Sequence, residues 1–244
     1  YGRCRGSIAR CVAQRPRAPV AWRLANYLVY IAGKGLSRKE MTDLLELRRK
    51  SVVPKKVQRI GVAHGARRGA AEARVLLVEY AEFQCGHCAT VAPVLARVVE
   101  RHKQKVALLF KPYPLRGGGP LLAALASLAA QRQGKFWKMH DLLFENPDRH
   151  DPKGIEALAR QAGLDLQRFR RDLKDKKLAA AIDAIKIEGL RLGLKGTPTL
   201  FVNGKLYQMV KDQRHLDERV ADELDLLATQ KAAPPARQAT RKRP

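Results

Sequence analysis

The stretch Val75-Leu76-Leu77-Val78-Glu79-Tyr80-Ala81-Glu82-Phe83-Gln84-Cys85-Gly86-His87-Cys88-Ala89-Thr90-Val91-Ala92-Pro93 constrains this chain more than any other. An apolar run interrupted by Glu79 leads into Cys85-Gly86-His87-Cys88, and a helical pattern starts at the motif. A strand that delivers two cysteines to a helix start surrounds the first with unpaired N–H groups and the positive end of the helix dipole, which favours a thiolate. The three-residue step places the second sulfur one helical turn on. Taken alone, the motif supports either thiol–disulfide exchange or a metal site.

The two other cysteines, Cys4 and Cys11, do not resolve that choice. A wide gap and a tight gap separated by most of a domain lack the paired short knuckles of a zinc ribbon, so no metal site is expected. The chain of 244 residues carries 48 Lys and Arg against 23 Asp and Glu, a formal charge of +25. Such a surface attracts anionic membranes, nucleic acids and acidic proteins alike. The basic residues form no groove-reading motif and aromatics are few, so a specific nucleic-acid role is not expected. No apolar run is long enough to span a bilayer. The first residue is Tyr1 rather than Met, which fits a processed or truncated chain and leaves room for a removed export signal.

Along the chain, residues 1–56 are expected to form a helical hairpin carrying Cys4 and Cys11. Trp22, Leu24, Tyr27, Leu28 and Ile31 recur at helical spacing, and Ser37-Arg38-Lys39-Glu40 is a capping box for a second helix. A short strand is expected at 57–63, a loop at 65–73, the central strand at 74–82 and a helix at 85–102. Lys105 to Lys111 alternates, with Val106, Leu108 and Phe110 on the buried side, as the next strand of a βαβ unit. The pattern is then helical from Pro120 to Gly193. Phe136, Trp137, Met139, Leu142 and Phe144 fit a helix core, and His140 and His150 lack partners at metal-ligand spacing. Gly196-Thr197-Pro198-Thr199-Leu200-Phe201-Val202 returns to strand, and Asn203-Gly204 is a hairpin turn. A last helix is expected at 212–228, followed at 229–244 by a basic, Pro-containing tail suited to contact with an anionic surface.

This order, with three local signals, resembles the DsbA-like branch of the thioredoxin superfamily. Glu79 stands six residues before Cys85, where that branch often carries a buried acid. Gly134-Lys135-Phe136-Trp137-Lys138-Met139-His140-Asp141 looks like a helical segment of DsbA-like proteins, and Thr197-Pro198 just before a strand matches the family's cis-proline loop. The resemblance implies an α/β thioredoxin fold, a central mixed sheet flanked by helices, from segments 57–115 and 194–228. An all-helical domain would be inserted at 116–193, and the helical hairpin would precede the fold.

It also implies a protein thiol–disulfide oxidoreductase without a separate cofactor, its redox group being the Cys85/Cys88 disulfide. Cys85 would be the nucleophile and Cys88 the resolving cysteine. His87 would favour the Cys85 thiolate, Glu79 would shuttle the Cys88 proton, and Thr197 and Pro198 would bind substrate. Cysteine-containing proteins are the implied substrates, with an unidentified redox partner, in the periplasm or another extracytoplasmic space; a cytoplasmic reductase is the lesser alternative. Gly86-His87 matches the dipeptide of protein disulfide isomerases rather than the Pro-His of DsbA. That places the expected potential between roughly −270 mV and −120 mV, the thioredoxin and DsbA values. A non-catalytic peptide-binding or chaperone module on the same fold is the competing reading.

Cys4 and Cys11 admit three states: a short structural disulfide, two free thiols, or an auxiliary redox pair. Arg3-Cys4, Ser7-Ile8-Ala9 and the Gly-Leu-Ser-Arg-Lys-Glu segment look like the helical thiol reductases of cytochrome c maturation, but without their Cys-x-x-Cys. Alkylation of the denatured, non-reduced protein followed by mass spectrometry separates these states. A structural disulfide leaves both residues unlabelled, and labelling of both removes it.

Overall fold

A computed structural model of the chain describes residues 19–231. Cys4, Cys11 and the basic segment after 231 lie outside the described residues. Two helices come first, α1 (Pro19–Ala32) and α2 (Arg38–Val52). The capping box forms as expected, with the Glu40 N–H donating to Ser37 Oγ at 3.3 Å and the Ser37 N–H donating to Glu40 Oε2 at 2.8 Å.

Next come β1 (Ala66–Gly69), β2 (Val75–Ala81), α3 (Gly86–Arg101) and β3 (Val106–Pro112). The helical block contains α4 (Gly119–Gln131), α5 (Phe136–Glu145), a short 3-10 turn, α6 (Pro152–Gln161), α7 (Leu166–Leu173) and α8 (Lys176–Leu192). The chain then returns through β4 (Thr199–Val202) and β5 (Lys205–Tyr207) to α9 (Gln213–Lys231). The sheet order is β1-β3-β2-β4-β5, and only the β2–β3 pair is parallel.

Two local expectations are corrected. The strand expected at 57–63 does not form; β1 lies instead at Ala66–Gly69, within the expected loop. The N–H groups of the earlier segment find other acceptors: Gln58 donates to the Gly204 carbonyl at 2.8 Å and Gly61 to Glu188 Oε1 at 2.7 Å. At the other end, α9 runs through Lys231 rather than ending at 228, since no helix breaker occurs before Pro234.

Side chains alternate across β2. Val75 and Leu77 join a core built with α1, α3 and α9, whereas Val78 and Tyr80 join a larger core shared with the helical block. Glu79 therefore falls on the α3 side. Val106, Leu108 and Phe110 are buried as expected, and so are the residues that alternate with them, since every residue of β3 is buried. A strand flanked on both edges and covered on both sides has no solvent face.

Lys111 is consequently only 2% exposed, and its ammonium is neutralised by Glu188 on α8. Glu188 also accepts from Tyr80 Oη at 2.7 Å. The next residue, Gly189, leaves no room for a Cβ against the Tyr113 ring. The helical block is thus held to the sheet by close contact and a buried ion pair.

The α1–α2 hairpin lies against α9 through a comparable network. Arg23 Nε donates to Asp222 Oδ1 at 2.6 Å, and Arg48 donates to Glu218 at 2.6 Å and to Asp222 at 3.1 Å. Tyr27 and Ile31 bury their side chains beside it.

Removing one partner of a buried pair leaves an uncompensated charge. Glu188→Ala is therefore expected to lower unfolding free energy by about 3–5 kcal/mol in urea titrations, and Lys111→Met in that background should recover part of the loss.

Candidate active site

The pairing of β2 with β4 sets Tyr80 opposite Thr199. The chain leaving β2 and the chain entering β4 therefore meet at one end of the sheet. After β2, the Cys85 N–H closes a turn onto the Glu82 carbonyl at 3.1 Å, and Cys85 becomes the N-cap of α3. Its sulfur accepts from the Cys88 N–H at 3.3 Å, and its thiol donates to the Thr197 carbonyl at 3.5 Å. The Thr197–Pro198 peptide bond is cis, and Thr199 Oγ1 donates to the Gly196 carbonyl at 2.6 Å, fixing that loop. Cys85, Cys88, Thr197 and Pro198, remote in sequence, are thereby brought together.

The two cysteines, both free thiols, occupy different environments. Cys85 is half-buried, whereas Cys88 is 0% exposed. Burial pushes the Cys88 thiol well above the usual range, helped by the neighbouring Cys85 sulfur. Gly86 and His87 are exposed, and the imidazole makes no hydrogen bond to either cysteine among the described residues. A Cβ at Gly86 would meet nothing within 4 Å, so packing does not demand glycine there.

Glu79 is fully buried rather than solvent-facing, and neither carboxylate oxygen has a hydrogen-bond partner. Loss of solvation pushes its pKa up to about 8, an effect moderated by the nearby Lys211 ammonium. Lys211, half-buried between β5 and α9, is itself shifted down by burial, with Glu79 and Cys88 opposing that shift.

The remaining motif residues bind the site to its surroundings. Glu82 is 3% exposed, accepts from the Leu115 N–H at 2.6 Å and pairs with Arg116 at 3.5 Å. Gln84 donates to the Pro147 carbonyl of the helical block at 3.0 Å. Phe83 packs on Phe110, His140 and Phe144. His140 is thus a core residue, its Nδ1 2.7 Å from Asp141 Oδ1. His150 is equally buried, with Nε2 3.0 Å from the Leu143 carbonyl.

Sequence reasoning missed Glu82, although the motif stretch contains it, and Lys211, for which the sequence holds no periodic or spacing signal. Among the described residues, no group of three His, Cys, Asp or Glu side chains could hold a metal ion.

A buried thiol of raised pKa thus lies one helical turn from a half-exposed thiol, against a cis-proline loop at one end of a mixed sheet. The thioredoxin family model matches residues 62–222, and the chain belongs to that family, with a block of helices between β3 and β4. The chain is 28% identical in sequence to a thioredoxin-like oxidoreductase from Silicibacter pomeroyi, with a TM-score of 0.61 over 70% of this chain and 95% of that one. The thiol-disulfide exchange protein alpha-DsbA2 from Wolbachia pipientis has the same fold at 21% identity, with a TM-score of 0.61 over 72% of this chain and 91% of that one. A relative by sequence is the Na(+)/H(+) antiporter NhaA 3 of Salinispora tropica, 37% identical over 144 residues. That match covers 57% of this chain, which spans about one fifth (21%) of the antiporter's length. Among the described residues, no helix is long and apolar enough to cross a membrane.

The buried carboxyl has a thermodynamic consequence. Between the ordinary pKa of 4.5 and the folded value of about 8, the folded protein holds a proton that the unfolded chain releases. Stability contributed by this group therefore falls as pH rises through that window. Glu79→Gln is expected to be more stable than the wild type by about 3 kcal/mol at pH 7. The advantage should shrink toward zero at pH 4.5, as checked by denaturant titrations across pH.

Proposed function

We propose that this protein is a thiol–disulfide oxidoreductase that exchanges disulfides with cysteine-containing protein substrates through Cys85 and Cys88. The observation carrying the reading is the asymmetry of the two thiols at one helix start, with Cys85 half-exposed against the Thr197 carbonyl and Cys88 buried beneath it.

In the reduced enzyme, the Cys85 thiolate attacks a substrate disulfide. One substrate sulfur leaves as a thiolate and the other forms a mixed disulfide with Cys85. Cys88 then gives its proton to the Glu79 carboxylate and attacks Cys85 Sγ. The Cys85–Cys88 disulfide forms, the second substrate sulfur departs as a thiolate, and two electrons have passed to the substrate. The oxidised enzyme runs the same steps in reverse. No further cofactor is required, and a separate redox partner returns the dithiol to its working state.

Thr197 and Pro198 form the wall against which an extended substrate segment lies, and the exposed His87 acts on the Cys85 thiolate by charge when protonated. Disulfide exchange on folding proteins suits an oxidising space, so the periplasm or an equivalent extracytoplasmic compartment is the proposed location. The basic C-terminal segment is proposed to favour anionic surfaces there.

Insulin reduction and oxidative refolding assays test the proposal. Cys85→Ala should abolish both activities, whereas Cys88→Ala should accumulate a mixed disulfide visible on non-reducing gels. Full activity in Cys85→Ala would leave the fold as a peptide-binding module. The reduction potential of the couple should fall between roughly −270 mV and −120 mV.

A further inference from the structure

In the sheet order, β2 lies between β3 and β4. β3 runs parallel to β2 and ends level with it, Pro112 opposite Ala81, so the chain leaving β3 flanks the dithiol turn on the side away from the Thr197–Pro198 loop. Three contacts fasten it there. The Tyr113 N–H donates to the Ala81 carbonyl at 2.8 Å, the Leu115 N–H donates to Glu82 Oε2 at 2.6 Å, and a Cβ on Gly119 would stand 3.1 Å from Gln84 Nε2. Cys85 follows Gln84 directly, and its own N–H is bound to the Glu82 carbonyl. Glu82 therefore holds both the turn of the nucleophile and the turn at 113–119.

The charges of this rim are divided between inside and outside. Segments 82–88, 113–119 and 194–199 contain a single acid, Glu82, which is 3% exposed and turned inward onto Leu115. Arg116 pairs with it at 3.5 Å yet keeps its side chain 73% exposed. Lys195, on the other side of Cys85, is also exposed and lines the groove that contains Pro198. The 3-10 turn reached by Gln84 adds Asp148 and Arg149, one charge of each sign. A substrate approaching Cys85 thus meets a cation on either flank and no exposed acid from the three segments. Charges placed in this way raise the encounter rate of partners of opposite sign and suppress those of like sign.

We propose that Arg116, with Lys195 opposite, selects substrates whose reactive cysteine is flanked by acidic residues. This selectivity rests on the proposed exchange chemistry and specifies the substrate class of the same site. The cations act on the first encounter. The Cys85 thiolate attacks the substrate sulfur, a new S–S bond forms, and the old one breaks with its electrons on the leaving sulfur. An acidic neighbour of the substrate cysteine is drawn to the rim as the sulfurs come into line, whereas a lysine in its place is repelled.

Two peptides that differ only in carrying Glu or Lys on each side of one cysteine, each joined as a mixed disulfide to 2-thiopyridine, test the selectivity. Attack at the peptide sulfur by Cys85 of the reduced full-length protein releases 2-thiopyridone, whose absorbance gives the rate. The ratio of the Glu-peptide rate to the Lys-peptide rate cancels any change in Cys85 reactivity common to both. Arg116→Gln should lower that ratio about threefold at low salt, and Arg116→Glu should lower it further. Arg116→Lys should keep most of it. Lys177→Gln, which removes the same charge at the far end of α8, should leave the ratio unchanged. In about 1 M salt, where the screening length is about 3 Å, wild type and Arg116→Gln should give the same ratio.

A low-salt ratio equal in wild type and Arg116→Gln overturns the selectivity. An equal fall in Lys177→Gln does so too, because the preference would then belong to the charge of the whole chain. Absence of thiopyridone release from both peptides by the wild type removes the exchange reading itself. Release from both, with a ratio indifferent to residue 116, removes the selectivity alone.

Discussion

The register between β2 and β4 is the constraint on which the site depends. Tyr80 opposite Thr199 makes the two strands finish together, so the turn leading to Cys85 and the loop holding Pro198 have no alternative but to meet. A slip of one residue would turn Glu79 away from α3 and move Thr197 relative to the Cys85 thiol. Burial on both faces resists that slip, because Leu77, Val78, Tyr80 and Phe201 are all nearly inaccessible. The site has little freedom of its own; its geometry is the end condition of a packed sheet.

A strongly basic chain faces a second problem, which is where to place its few acids. Several lie at junctions between structural units rather than on the surface. Glu188 joins α8 to Lys111 and Tyr80 on the sheet, Asp222 joins α9 to Arg23 and Arg48 of the hairpin, and Glu82 joins the active-site turn to Leu115 and Arg116. Each acid meets two or more donors, as a buried carboxylate requires if its desolvation is to be offset. Glu79 alone among these has no hydrogen-bond partner. The acids at these junctions meet their donors, whereas Glu79, on the strand that leads to the dithiol, has both oxygens unpartnered among the described residues.

Much of this was legible in the sequence because the signals were local. The Cys-x-x-Cys at a strand–helix junction, the helical spacing from Pro120 onward, the Ser37 capping box and the Asn203-Gly204 turn each carry their own physical cause. What was not legible depends on neighbours distant in the chain. The alternation at 105–111 marked one buried side, and nothing local shows that β3 lies inside the sheet with its other side covered too. Segment 57–63 has apolar residues suited to a strand, yet its N–H groups go to a turn carbonyl and to Glu188. Lys211 resembles any other lysine of a lysine-rich chain until the fold sets it against a buried acid.

The Gly86-His87 dipeptide is open in a different sense. Gly86 has free space around it and His87 points outward, so neither is fixed by packing, whereas Cys88, Glu79 and Pro198 are held by the surrounding structure. Residues free of packing can change the stability of a thiolate without disturbing the sheet. The fold thus separates two properties of one dithiol. On the proposed exchange chemistry, the equilibrium between oxidised and reduced forms is open to adjustment at the exposed dipeptide, whereas Cys88 acts from a fully buried position. A chain can thus keep the packed half of such a site unchanged while its exposed half shifts the balance between the two redox forms.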